Sequence, residues 1–150
     1  MQHAAHRTQN EMRYLAIDYG AKRTGLAICD AAETITSPLT VLHGRKNLPE
    51  KIAAIAGSEN VDAIVLGLPL NMNGTEGPQT KLVRIFVEQL KNHLSIPIYF
   101  QDERLSSFGA EEKLTPADFT TKKLKKRIDA VAAAEILQAF LEHKRADNTN

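Results

Sequence analysis

Three stretches of the sequence set a carboxylate where an apolar element ends or where a helical stripe is otherwise apolar. Asp18 closes the run "RYLAID", and Asp102 with Glu103 follows "IPIYFQ". Asp129 falls on one helical face with Ala132, Ala133, Ile136 and Phe140. A solitary carboxylate in such surroundings is costly, and like charges raise one another's pKa unless a cation sits among them. Each also has a plain structural reading: Asp18 in "DYG" as a turn former, the pair in "QDER" as a solvated strand end with Arg104 as ion-pair partner, Asp129 as an acid favoured near a helix start. Taken together they point elsewhere. The C-terminal ends of neighbouring parallel strands share one rim, and open α/β sheets place their sites there.

Carboxylates converging without a Cys/His cluster suit a hard divalent cation. Mg²⁺ takes oxygen ligands, keeps water and is completed by substrate phosphates. Two such ions, about 4 Å apart, activate water and stabilise the leaving oxygen in phosphodiester cleavage. Other schemes fit worse. His3, His6, His43, His93 and His143 are scattered, with none at ligand spacing to another on a predicted helix. Neither a "GxxxxGK[ST]" loop nor a "GxGxxG" motif occurs. The single cysteine, Cys29, sits in the apolar run "GLAIC" and reads as a small buried side chain, as expected in a reducing cytoplasm.

The elements that must position these groups follow from periodicity. "RYLAID" and "TGLAICD" are short apolar runs divided by a Gly-containing, cation-bearing turn, a β-hairpin pattern, and "TITSPLTVLH" supplies a third strand in which Pro38 marks an edge or a bulge. "LPEKIAAIAGSEN" has helical spacing, and "VDAIVLGLP" reads as a strand covered on both faces. After the loop "PLNMNGTEG", the stripe of Leu82, Val83, Phe86, Val87, Leu90 and Leu94 predicts a long helix; "IPIYF" predicts a strand and "IDAVAAAEILQAFLEH" a closing helix whose alanines permit close approach to a sheet. The expected fold is α/β, a mixed five-stranded sheet of three hairpin-linked strands followed by two parallel ones, flanked by helices.

A length of 150 residues allows one compact domain, expected over residues 13–143 between frayed tails at 1–12 and 144–150. With 43% hydrophobic and 25% charged residues, the composition is that of a globular protein. No apolar run approaches the ~20 residues of a membrane helix. Nineteen Lys+Arg against eighteen Asp+Glu give no global basic field, so any case for nucleic-acid binding must be local. The local candidate is "TKKLKKR", with Lys122, Lys123, Lys125, Lys126 and Arg127; its structural alternative is a solvated helical face or a mobile loop.

Four segments in this order, "AIDYGAKRTGLAICD", "IVLGLPLNMNGTEGPQT", "QDERLSS" and "IDAVAAAEILQAFL", resemble the YqgF family of RNase H-like proteins, described as pre-16S rRNA nucleases and as Holliday junction resolvases. The resemblance spans Tyr14 to Leu141 and implies an RNase H-like fold. It implies cleavage of a nucleic-acid backbone dependent on Mg²⁺ or Mn²⁺, and a bacterial cytoplasmic role in maturing pre-16S rRNA, with ribosomal particles as partners and no membrane. Branched DNA is the alternative substrate, and a noncatalytic RNA-binding ribosome-assembly module the alternative role. The family carboxylates map onto Asp18, Glu103 and Asp129, with Asp102 the competing neighbour of Glu103. The loop "GLPLNMNGTEG" resembles the family's rim loop, where Asn71, Asn73 and Thr75 would contact sugar or phosphate. Its structural alternative is a turn plus a helix N-cap at Gly74 or Thr75. Asn73 stands where family members often carry Asp, and Ser106 and Ser107 replace a more usual pair of threonines. Lys22, Arg23 and Arg104 would add positive charge beside the rim, and the run at 122–127 would be a backbone-contacting arm ahead of Asp129. An actin-like ATP-handling domain shares the Asp-x-Gly hairpin, but such proteins duplicate the domain, and this length does not allow it.

Overall fold

A computed structural model describes the backbone of residues 11–105 and 121–149 and the side chains of residues 11–104 and 130–147. Strands β1 (Tyr14–Asp18), β2 (Arg23–Cys29), β3 (Thr36–His43), β4 (Ala63–Leu68) and β5 (Ile98–Asp102) form one sheet in the order β3-β2-β1-β4-β5. β1, β2 and β3 pair antiparallel, whereas β4 runs parallel to β1 and to β5, the mixed topology expected of an RNase H-like domain. Helices α1 (Leu48–Ser58) and α2 (Pro78–Lys91) cross over between the parallel strands, and α3 (Thr121–Thr149) closes the chain.

Period-two alternation divides the strands between two cores. Leu15, Ile17, Leu26, Ile28, Ile64, Leu66 and Leu68 face α1 and α2, where Leu48, Ile52, Val83, Phe86, Val87 and Leu90 cover them. Tyr14, Ala16, Ala27, Cys29, Ala63 and Val65 face α3 and meet Ala133, Ile136, Leu137 and Leu141. All six residues of β4 are buried, which is why "VDAIVLGLP" shows no alternation. Gly20 makes the β1–β2 turn possible, because a Cβ there would overlap the Arg23 carbonyl oxygen.

The elements differ from expectation mainly at their ends. Pro38 lies on an edge strand and beside a bulge, since the β2–β3 register slips between Leu26 and Ala27. β5 begins after Pro97 and continues through Gln101 to Asp102, while α2 starts at Pro78 and stops at Lys91. α3 is far longer than the apolar stripe suggests: its backbone is helical from Thr121, through the basic run, to Thr149. Within the segment 144–150, expected to fray, helix α3 continues to Thr149 and the first two side chains are engaged. Lys144 Nζ holds both carboxylate oxygens of buried Glu33 at 3.0 and 2.8 Å, and Arg145 donates to the Glu33 carbonyl at 2.8 Å. Those partners lie 111 and 112 residues away in sequence, so local periodicity carried no trace of them.

Candidate active site

Asp18 ends β1 with the strand parity of Tyr14 and Ala16, which face α3. It pairs with Gly25 of β2, and on its other side the register that aligns Ile17 with Leu66 brings Gly67 of β4 alongside. The residues flanking Asp18 at the rim are thus both glycines. Gly67 is in turn aligned with Gln101 of β5, whose amide meets His143 of α3 at 3.2 Å.

Glu103 begins the 3-10 turn that follows β5 and folds back over this floor. A Cβ added to Gly67 would stand 2.8 Å from Glu103 Oε2, 3.0 Å from its Cγ and 2.6 Å from Ile136 Cδ1. The missing side chain at Gly67 is therefore the space that the Glu103 carboxylate occupies beneath α3. Asp18 and Glu103 stand on either side of one strand, on one face, at one end of the sheet. β4 separates their strands, each about 4.8 Å from it, and the Glu103 carboxylate closes part of that span by folding back over Gly67.

Asp102, one residue earlier, points to the opposite face. Its two oxygens accept from Arg104 Nε at 3.1 Å and from Arg104 Nη2 at 2.7 Å, and the Arg104 backbone N–H adds a third bond at 2.9 Å. This pairing holds the Asp102 carboxyl below the ordinary aspartate range, the Arg104 side chain being the first cause. Burial, followed by the charge of Asp102, pushes the Glu103 carboxyl up. Two adjacent acids are thus separated into a structural ion pair and a half-buried carboxyl at the rim.

Asp129 lies in α3 seven residues, about two turns, before Ile136, which itself packs against Gly67. Its side chain lies outside the described residues, as do those of Lys122, Lys123, Lys125, Lys126 and Arg127. Among the described residues no three His, Cys, Asp or Glu side chains converge on one point. Ser106 and Ser107 are likewise outside.

The rim loop after β4 is held by its own polar groups. Asn71 Nδ2 donates to Thr75 Oγ1 at 2.9 Å, and Asn73 Oδ1 accepts from Thr75 Oγ1 at 2.6 Å and from the Thr75 backbone at 3.1 Å. The N-cap of α2 is Gly77, followed by Pro78, and not Gly74 or Thr75. Gly74 instead takes φ 88° within the turn, a conformation that favours glycine. Arg104 Nη1 reaches across to the Met72 carbonyl at 3.1 Å, so its guanidinium links the end of β5 to this loop.

Lys22 and Arg23 lie at the same end of the sheet, and strand pairing adds cations there that sequence reasoning missed. Arg23 is aligned with His43, and the Gly44 N–H donates to the Lys22 carbonyl at 2.8 Å, bringing Arg45 and Lys46 beside them. The signal was present in the hairpin pattern: a strand ending "LHGRK" must return to the end where its partner begins.

Comparisons with known proteins bear on the family and the fold. The model of the RuvX family, described as Holliday junction resolvase, matches residues 12–143. A protein of Roseiflexus sp. (strain RS-1) named "Putative pre-16S rRNA nuclease" is 40% identical over 135 residues, covering 89% of this chain and 96% of its own. One of the same name from Anaeromyxobacter sp. (strain Fw109-5) is 41% identical over 137 residues, 90% and 100% of the two chains. In fold, T. thermophilus RuvC in complex with Holliday junction substrate superposes with a TM-score of 0.53 at 13% identity, covering 89% of this chain and 96% of that one. The fowlpox virus Holliday junction resolvase gives 0.50 at 17% identity, with 88% and 99% covered. The match of the family model along nearly the whole described sheet and closing helix, together with relatives of 40% identity, places the chain in one family: it belongs to the RuvX family.

Proposed function

We propose that this protein is a divalent-metal-dependent nuclease that hydrolyses phosphodiester bonds in 5′-end processing of pre-16S rRNA, in the bacterial cytoplasm and on ribosomal particles. Asp18, Glu103 and Asp129 are the catalytic residues, as ligands of Mg²⁺ or Mn²⁺. The observation that carries the reading is the placement of Asp18 and Glu103 on one face at the rim, either side of Gly67.

The residues present fit such an ion. The donors are all carboxylate oxygens, and partial burial, followed by the charge of Asp102, makes Glu103 an acid that resists ionisation. Asp18, Glu103 and Asp129 would hold the ion, which would supply Lewis-acid charge at the attacked phosphate and make water a stronger acid there. Around it the chain acts by shape and charge. Gly25 puts no side chain beside Asp18, so a nucleic-acid backbone can approach it closely, while Gly67 leaves the room that the Glu103 carboxylate fills. The Asp102–Arg104–Met72 linkage fixes the turn that presents Glu103. Lys22 and Arg23 add positive charge at the rim for phosphate. Asn71 and Asn73 contribute chiefly by holding the loop, since their side chains are engaged within it.

The test is cleavage of a pre-16S rRNA 5′ segment, a four-way DNA junction and a plain single strand by the wild type and by Asp18→Asn, in Mg²⁺ and in Mn²⁺. Selective, metal-dependent cut of the pre-rRNA, lost in Asp18→Asn, supports the proposal. Preferential cut of the junction would make this a DNA resolvase, and binding without any cut a ribosome-assembly module.

A further inference from the structure

On the far face of the sheet from Glu103, directly after Asp18, the Tyr19 ring lies flat on Phe86 of α2, with centroids 4.3 Å apart and planes 16° from parallel. The Arg45 guanidinium sits 5.8 Å from the centre of the Tyr19 ring. These groups, with Leu48 at the start of α1 and Leu82, Ile85 and Gln89 along α2, enclose a cavity of about 280 Å³. Small-ligand pockets run from ~300 Å³ upward, so this volume suits one ring system and not an extended ligand. More of its lining surface is polar than apolar: the Arg45 guanidinium and the Gln89 amide join the side chains of Tyr19, Leu82, Ile85 and Phe86 around it. Leu82 and Ile85 are 40% and 57% exposed, an unusual state for two aliphatics one turn apart on an otherwise polar helix surface.

The position matters as much as the lining. The cavity opens beside the cations Lys22, Arg23, Arg45 and Lys46, which the β2–β3 pairing gathers at the end of the sheet where Asp18 lies. A phosphate backbone drawn to those cations on its way to Asp18 would carry its bases past the cavity. Resting on the nuclease reading above, we infer that the Tyr19–Arg45 cavity receives one unpaired nucleobase of the substrate strand next to the cut. Phe86 and Arg45 cover the two sides of the Tyr19 ring, so the outer face of the exposed Arg45 guanidinium offers the stack, Gln89 offers a donor and an acceptor to the base edge, and the neighbouring cations hold the flanking phosphates. A continuous duplex keeps its bases inside the stack and cannot fill the cavity, so the substrate class is nucleic acid with a single-stranded segment at the cut.

The test uses the Asp18→Asn background, which leaves the nucleic acid intact, and compares a single-stranded RNA carrying 4-thiouridine with the same sequence in a blunt duplex. Affinity is read by fluorescence anisotropy across salt concentrations, contacts by photo-cross-linking, and folding by thermal melts. Ile85→Trp, which fills the cavity from an exposed position, should lower the single-strand over duplex preference about 5- to 100-fold, the scale of one lost base stack. Arg45→Ala should lower it too and flatten the single-strand salt slope by about 0.7. The cross-link should fall on Tyr19 or Gln89. An unchanged preference in both folded variants, with cross-links elsewhere, overturns the inference while wild-type cleavage leaves the nuclease reading standing. A parent that neither binds nor cuts any nucleic acid overturns both. Loss of a concentration-dependent dimer in Ile85→Trp, at unchanged RNA affinity, would assign the patch to self-association and overturn the inference alone.

Discussion

The two faces of the sheet are made by the same strands and filled in opposite ways. Toward α1 and α2 the strands present Leu15, Ile17, Leu26, Ile64 and Leu66, all fully buried, against Phe86, Val87 and Leu90. Toward α3 they present Ala16, Ala27 and Ala63 among Tyr14, Cys29 and Val65, continued at the rim by Gly25 and Gly67. The first face buries large apolar surface, worth roughly 1.5–3 kcal/mol per large side chain, and anchors the sheet. The second gives up that volume so that one helix can lie close and two carboxylates can share the space left at its edge. On the function proposed above, stability and chemistry are divided between alternate residues of the same strands.

That division is broken most severely by Asp18→Asn. It should reduce cleavage on the order of 10²–10³-fold, the scale of losing one group at the reacting centre, while the metal-free protein melts at the same temperature or slightly higher. Unfolding together with loss of activity would make Asp18 a structural residue.

Neighbouring residues of β4 sharpen the comparison. Leu66→Ala, on the large-residue face, should cost about 2–5 kcal/mol in denaturant unfolding yet leave per-molecule cleavage intact below its melting range. Gly67→Ala, one residue on, should cost about 1–3 kcal/mol because its Cβ meets Ile136, and should also reduce cleavage by displacing Glu103. Equal effects on activity from the two would erase the distinction between the faces.

The adjacent acids at the end of β5 respond to pH with opposite signs. Glu103 is raised above its ordinary value of 4.5 by burial and by Asp102, so its ionised form costs stability: acidification from its raised folded pKa down to 4.5 should stabilise the metal-free protein. Asp102 is lowered below its ordinary 3.8, so its contribution is present above 3.8 and lost as pH falls through its depressed folded pKa. Melts in a chelating buffer should therefore rise and then fall on acidification, and Glu103→Gln should remove the rise alone.

The smallest effect per residue belongs to the basic segment of α3. Neutralising Lys122, Lys123, Lys125, Lys126 and Arg127 should weaken binding of all sequences alike and flatten the log–log salt dependence by roughly 0.7–0.9 per lost phosphate contact. Unchanged affinity and slope would leave the run as a solvated helical face and shift substrate holding to Lys22, Arg23, Arg45 and Lys46.

Apolar periodicity alone determined the strand and helix order, the two-sided burial of β4 and the edge position marked by Pro38, because side-chain period and turn chemistry are local properties of the chain. It also determined that Asp18 ends a strand. The choice between Asp102 and Glu103 needed tertiary structure: the 3-10 turn sets which carboxylate folds over Gly67 and which meets Arg104. The rim loop needed it as well, since the inward engagement of Asn71 and Asn73 depends on a turn closed by Thr75. The gathering of Arg45 with Lys22 follows from a hairpin register, and the engagement of Lys144 and Arg145 from contacts with Glu33 across the domain. Such pairings join residues far apart in the chain, and their energies arise only once the sheet has brought the partners together.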